Sequence, residues 1–149
     1  MIAIDTSAVA AIAFNEPERQ EFVAAIGAAG KVLISAVSVV EVEMTVYARR
    51  GTRGVVLVDD LLNLPQFEIV PPSFADMDAA FAAYLAFGKG SGHPAALNFG
   101  DVFAYALAKN RDLPLLYKGN EFARTDLRAA VSPPPHPASP PPGAERGPR

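Results

Sequence analysis

Four short apolar runs alternate along this chain with longer stretches of helical period, and that alternation restricts the fold more than any other feature. MIAID (1–5), VLISA (32–36), FEIV (67–70) and LPLLYK (113–118) have the length of strands and are bounded by Gly, Pro or polar residues. The intervening sequence predicts helices over about 16–28, 38–50, 54–63, 74–88 and 101–111. Ser38, Ser73 and Asp101 stand at N-cap positions, and Gly51 and Gly88 follow helix ends. Strands joined by helices rather than by tight turns require right-handed crossovers and a parallel sheet covered on both faces. The expected fold is therefore α/β: a three-layer α/β/α domain with a central parallel sheet of four or more strands. Ligands of such sheets bind beyond the carboxyl ends of the strands, where strand order reverses.

Composition then narrows the chemistry. The chain has 149 residues, enough for one domain, and is 50% hydrophobic, which excludes a wholly disordered polypeptide. No run approaches the roughly 18–20 apolar residues of a membrane span. The N-terminus lacks a basic region and carries Asp5 early, so no signal peptide is expected. With no cysteine, disulfides, zinc–thiolate sites, iron–sulfur clusters and cysteine nucleophiles are excluded, and with two histidines a His-rich metal site is not expected. The net charge of −3 gives no blanket basic surface for coating duplex DNA. The expected compartment is cytoplasmic. Ser132 to Arg149 hold eight of the fourteen prolines, so the folded domain is expected over 1–131 and a disordered Pro-rich tail over 132–149.

Any chemistry must therefore run on carboxylates, and four stand at strand ends or helix starts. Asp5 ends the first apolar run; Asp101 opens the helix after LNFG; Glu41 lies one turn into the helix beginning near Ser38; Glu121 follows the Gly119-Asn120 turn beyond the last strand. Each also has a plain structural reading. Asp5 and Asp101 can serve as N-caps, and Ser38-x-x-Glu41 fits a capping box. Glu41 shares its helical face with Val37, Met44, Thr45 and Ala48, read as a half-buried stripe, whereas Glu43 points elsewhere. Asp126, the rival to Glu121, is expected to begin a terminal helical turn. Carboxylates gathered at one edge need a cation, since like charges raise one another's pKa. An oxygen-only donor set selects Mg²⁺ or Mn²⁺, ions suited to phosphodiester hydrolysis.

Three groups of basic residues stand near these segments. Arg49, Arg50 and Arg53 lie near one helix end, Lys89 and His93 in the Gly-rich FGKGSGHP loop, and Lys118 and Arg124 on either side of Glu121. That loop is flexible by composition and precedes Asp101, which makes Lys89 the candidate phosphate contact. His93 is read as a loop residue, and Phe81, Tyr84, Phe87, Phe103 and Tyr105 as core.

IDTSA around Asp5, S-x-x-S-x-x-E ending at Glu41, FGKGSGHPAALNFGDVFAYALAK around Asp101 and PLLYKGNEFARTDL, in this order over residues 1 to about 131, resemble the PIN-domain ribonucleases, and among them the VapC toxins of bacterial toxin–antitoxin pairs. The resemblance implies a parallel-sheet α/β/α fold and a Mg²⁺-dependent endoribonuclease that hydrolyses RNA phosphodiester bonds with activated water. It also implies a homodimer and a cognate antitoxin protein of a type II, VapBC-like pair. Carried over by position, Asp5 and Asp101 match the family's metal-binding acids, Glu41 its middle acid, and Thr6 and Ser7 small hydroxyl residues lining the site. Glu121 stands where the family usually has Asp, and its extra methylene favours a contact through water. The alternative is a catalytically weakened PIN-fold binding module acting through an antitoxin partner.

Overall fold

The computed structural model describes residues 1–132. The expected Pro-rich tail lies outside them apart from Ser132. Strands β1 (Ile2–Ile4), β2 (Val32–Ser35), β3 (Phe67–Val70) and β4 (Leu115–Leu116) fall within the four predicted runs and pair in parallel in the order β3-β2-β1-β4. Five helices connect them: α1 (Thr6–Ala13), α2 (Arg19–Ala29), α3 (Ala36–Leu62), α4 (Phe74–Phe87) and α5 (Phe99–Asn110), followed by a 3-10 turn over Phe122–Arg124. This is the three-layer α/β/α arrangement the alternation required.

The central strands serve two cores. Ile2, Ile4, Val32 and Ile34 pack with Val9, Phe22, Val42 and Val46 from the α1–α3 side, while Ala3 and Leu33 pack with Ala80, Leu97, Tyr105 and Leu107 from the α4–α5 side. Successive side chains of a strand point to opposite faces, so burial on both faces demands an unbroken apolar run rather than an alternating one. β3, at one edge, exposes Glu68 and Ile69, and Glu68 pairs with Lys31.

Local starts and stops differ from expectation in identifiable ways. α1 carries no helical period because Ala8 to Ile12 are buried all round. The helices predicted over 38–50 and 54–63 are two arms of α3, which bends without a loop at Gly51 (φ 61°, ψ −153°), a conformation that needs glycine. Ser73 and Gly88 cap α4 as predicted. Neither Ser38 nor Asp101 is an N-cap residue, although Asp101 closes a capping box by accepting the Asn98 N–H. α3 starts directly from β2, with Ser35 Oγ accepting the Val37 N–H at 3.3 Å, so Ser38 is already inside the helix and its capping box with Glu41 does not form. α5 is capped by Asn98, which places Asp101 at the third helical position.

Three further readings are corrected. Phe81 and Tyr84 are exposed on the outer face of α4 with Phe74, Met77 and Leu85, although Tyr105 is buried and Phe87 and Phe103 partly so. Met44 and Thr45 are exposed rather than half-buried, because Ser38, Val42 and Val46 form the buried stripe of that arm. Asp126 begins no helical turn; its carboxylate accepts hydrogen bonds from Tyr105 Oη and Lys109 Nζ, both at 2.6 Å, and holds the C-terminal segment against α5.

Candidate active site

The strand order reverses at β1. The chain moves from β1 through β2 to β3 on one side, then returns to place β4 on the other. The crevice at the carboxyl ends of β1 and β4 is where this topology leaves room for a ligand. Asp5 follows β1 directly and Glu121 lies shortly after β4; Glu41 arrives on the first arm of α3, and Asp101 on the first turn of α5.

Asp5 is anchored from both sides. Its N–H donates to Leu116 O at 2.9 Å, continuing the ladder to β4. Its Oδ2 accepts the Ser7 N–H at 3.0 Å and caps α1, whereas Oδ1 is buried without a hydrogen-bond partner. The residue is 2% exposed. Burial raises its pKa to about 7; the hydrogen bonds from Ser7 oppose the rise, and the charges of Asp101 and Glu41 add to it. Asp101 is lifted to about 6, again chiefly by burial, against its bond from the Asn98 N–H and with the charges of Glu41 and Glu121 adding. Asp101 is thus the acid that senses both Glu41 and Glu121. An unpaired buried carboxylate oxygen costs on the order of 1–3 kcal/mol or more, which a site of this kind recovers only when a cation or donor arrives.

Glu41 reaches this cluster because residue 100 has no side chain. A β-carbon on Gly100 would lie 1.8 Å from Glu41 Oε2 and 2.6 Å from Oε1. Glu121 is steered by Gly119, whose φ of +100° aims the turn; a β-carbon there would lie 2.6 Å from Glu121 Oε2. Gly119 stands two residues before the acid it steers, a signal legible in the sequence, whereas Gly100 and Glu41 lie too far apart in the chain for any local signal.

Thr6 and Ser7 act through the backbone. Thr6 Oγ1 donates to Ser38 O at 3.2 Å, tying α1 to α3, and Ser7 Oγ accepts the Lys118 N–H at 2.9 Å, tying α1 to the segment after β4. Lys118 pairs with Glu16 and Glu18 rather than with the four acids. Arg49 and Arg50 stack on Phe14, at 4.1 and 5.6 Å from the ring centre. Lys89 is exposed in the loop before α5.

Among the described residues, no three acids or histidines stand close enough as placed to form a closed metal cage. The set nevertheless fits a hydrated hard cation. All donors are carboxylate oxygens, one of them buried and unpaired, and Mg²⁺ retains several waters while taking only one or two carboxylates. Beside Glu41 runs an apolar groove of about 590 Å³ lined by Val37, Val40, Met44 and Phe99 among others, with Met44 68% and Phe99 75% exposed.

This sheet order, with acids at its switch point, is shared with a known family. The PIN-domain profile matches residues 2–127. Ribonuclease VapC30 of Mycobacterium tuberculosis is 39% identical over 132 residues, covering 89% of this chain and all of that one. Ribonuclease VapC28 of the same organism is 38% identical over 128 residues, covering 86% and 96%. The chain belongs to the PIN-domain family and, within it, to the VapC type. Among solved structures, VapC20 of M. tuberculosis, described as a sarcin-ricin loop cleaving toxin, superposes with a TM-score of 0.72 at 15% identity, covering 89% of this chain and 100% of that one. VapBC2 of Rickettsia felis, bound to a promoter DNA fragment, gives 0.69 at 14%, covering 87% and 97%. At such identities these two establish the shared fold.

Proposed function

We propose that this protein is a Mg²⁺-dependent endoribonuclease, with Mn²⁺ able to substitute, and the toxin of a toxin–antitoxin pair. What supports this reading most is that Asp5 and Asp101, at the carboxyl end of β1 and the start of α5, feel the charge of Glu41, and Asp101 that of Glu121, with Asp5 Oδ1 buried and unpaired. Asp5 and Asp101 would hold the cation. Glu41, fixed against Gly100, and Glu121, on its glycine-directed turn, accept hydrogen bonds from water at the rim of the site. When bound, the cation neutralises the crowded carboxylates, acidifies a water and offsets charge at the scissile phosphate. Thr6 and Ser7 line the site from α1 and fix its walls, and Lys89 contacts a phosphate of the RNA.

The partners follow from surface chemistry and from the relatives. The groove beside Glu41 and the outer face of α4 expose more large apolar side chains than a lone domain requires. A second copy of the chain and an antitoxin are the occupants this reading assigns, the antitoxin silencing the acids with an arginine. No described helix is long and apolar enough to cross a membrane.

The test is incubation of wild type and Asp101→Asn with a mixed RNA pool in Mg²⁺ and in EDTA, followed by sequencing of the ends. Discrete Mg²⁺-dependent cuts by the wild type alone, leaving 5′-phosphate and 3′-hydroxyl ends, are expected. Absence of cuts from metal-loaded, antitoxin-free protein would favour the binding module.

A further inference from the structure

The loop between α4 and α5 is held by internal hydrogen bonds. Lys89 N–H donates to Leu97 O at 2.8 Å and Leu97 N–H to Phe87 O at 2.9 Å, closing its base. Inside it, Ser91 Oγ donates to Gly88 O at 2.7 Å and accepts the His93 N–H at 3.2 Å. Gly90 and Gly92 adopt φ of 93° and 85°, so these glycines shape the loop instead of loosening it.

Two cationic or donor side chains are fixed by this framework. His93 stands edge-on to Phe87, ring centres 5.0 Å apart, and its Nδ1 accepts the Ala95 N–H at 3.1 Å. A ring nitrogen that accepts is unprotonated, which leaves Nε2 as the N–H donor. Arg124, three residues beyond Glu121, donates from Nη1 to the Pro94 carbonyl at 3.1 Å. That bond joins the loop leading into α5 and Asp101 to the turn following Glu121. It uses one of the five N–H groups of the guanidinium. An acidic cleft acting on a polyanion needs donors of this kind at its border, and donors already fixed in place lose little freedom on binding.

We propose that His93 Nε2 and the Arg124 guanidinium form a phosphate-binding rim for the RNA backbone beside the acid cluster, an assignment that rests on the ribonuclease reading above. The backbone bonds at Ala95 and Pro94 hold the two donors in place, and Lys89 lies at the base of the same loop.

His93→Asn keeps an acceptor for the Ala95 N–H but removes the Nε2 donor. Arg124→Gln keeps an N–H for Pro94 but removes the charge. Binding of a labelled, mixed-sequence single-stranded RNA is measured in EDTA across a salt titration, with thermal unfolding of each variant as a control. Both variants are expected to unfold like wild type. Arg124→Gln should bind roughly tenfold more weakly, with a salt slope smaller by about 1, and His93→Asn several-fold more weakly. In Mg²⁺, cleavage should fall more at limiting than at saturating RNA. Unchanged affinity and salt slope in both variants, with a wild type that cuts RNA, would overturn the rim and leave the nuclease standing. A wild type that cuts nothing, with variants that still bind RNA more weakly, would sink the nuclease and keep the rim.

Discussion

The carboxylate of Glu41 occupies the space that a side chain at residue 100 would need. The two residues sit on different helices 59 positions apart, and a β-carbon on Gly100 would come within 1.8 Å of Glu41 Oε2. Gly100 is therefore the residue that makes room for the Glu41 carboxylate.

Gly100→Ala should expel the Glu41 carboxylate while leaving the fold intact. Displacement of a catalytic group by about 1 Å can cost on the order of a hundredfold in rate, so cleavage should fall by one to two orders of magnitude. A double-mutant cycle separates the clash from a general defect. In a Glu41→Ala background, Gly100→Ala should stabilise the protein by about 0.5–1 kcal/mol through helix propensity, whereas in the wild-type background that gain should vanish. Equal effects in both backgrounds, read by urea unfolding, would break the link between the two residues.

The metal-free protein should lose stability as pH rises through neutrality. Burial raises Asp5 to about 7 and Asp101 to about 6 from 3.8. Between about pH 4 and pH 7 the native state holds protons that the unfolded chain has released, so this stability is complete below the window and lost above it. Its size is on the order of a few kcal/mol. Thermal unfolding in EDTA should show a Tm that declines from pH 5 to pH 8. Added Mg²⁺ should raise Tm more at pH 8 than at pH 5, because protons compete for the same oxygens. Asp5→Asn should flatten the pH dependence and weaken the Mg²⁺ response; a wild-type Tm indifferent to pH and to metal would contradict the acid cluster.

Asp76 should show the opposite sign. It is 3% exposed, and burial alone would raise its pKa, but hydrogen bonds from Arg111, the Ser73 N–H and Asn110 outweigh that and lower it to about 2. Its contribution is present above the ordinary 3.8 and lost as pH falls toward 2. Asp76→Ala strands the Arg111 guanidinium and two further donors, and should cost about 2–4 kcal/mol at pH 7. Because Arg111 follows α5 at the end remote from Asp101, RNA cleavage well below the lowered Tm should stay near wild type. A large loss of cleavage with unchanged Tm would place Asp76 in the site instead.

Much of this architecture is legible in the sequence. β1 and β2 are buried on both faces, so their sequences had to be unbroken apolar runs, and the helical stretches between strands left only a parallel sheet. Asp5, Glu41, Asp101 and Glu121 stood out because each interrupts or borders such an element. The capping positions were less legible. Ser35 and Ser38 offer competing starts for α3, and only the absence of a loop after β2 selects the first. Asn98-x-x-Asp101 was itself a readable capping box, displaced by the prominence of Gly100-Asp101. α1 was missed because complete burial erases helical periodicity.

Fold class and the candidate acids are legible in the residues alone, since hydrophobic period and residue chemistry are local properties written into short segments. Tertiary structure alone decided that Glu41 closes over Gly100, that Asp5 keeps one oxygen buried and unpaired, that Ser7 ties α1 to the chain beyond β4, and that Arg124 meets Pro94. Each joins segments distant in the chain, and their contact is set by how the layers pack.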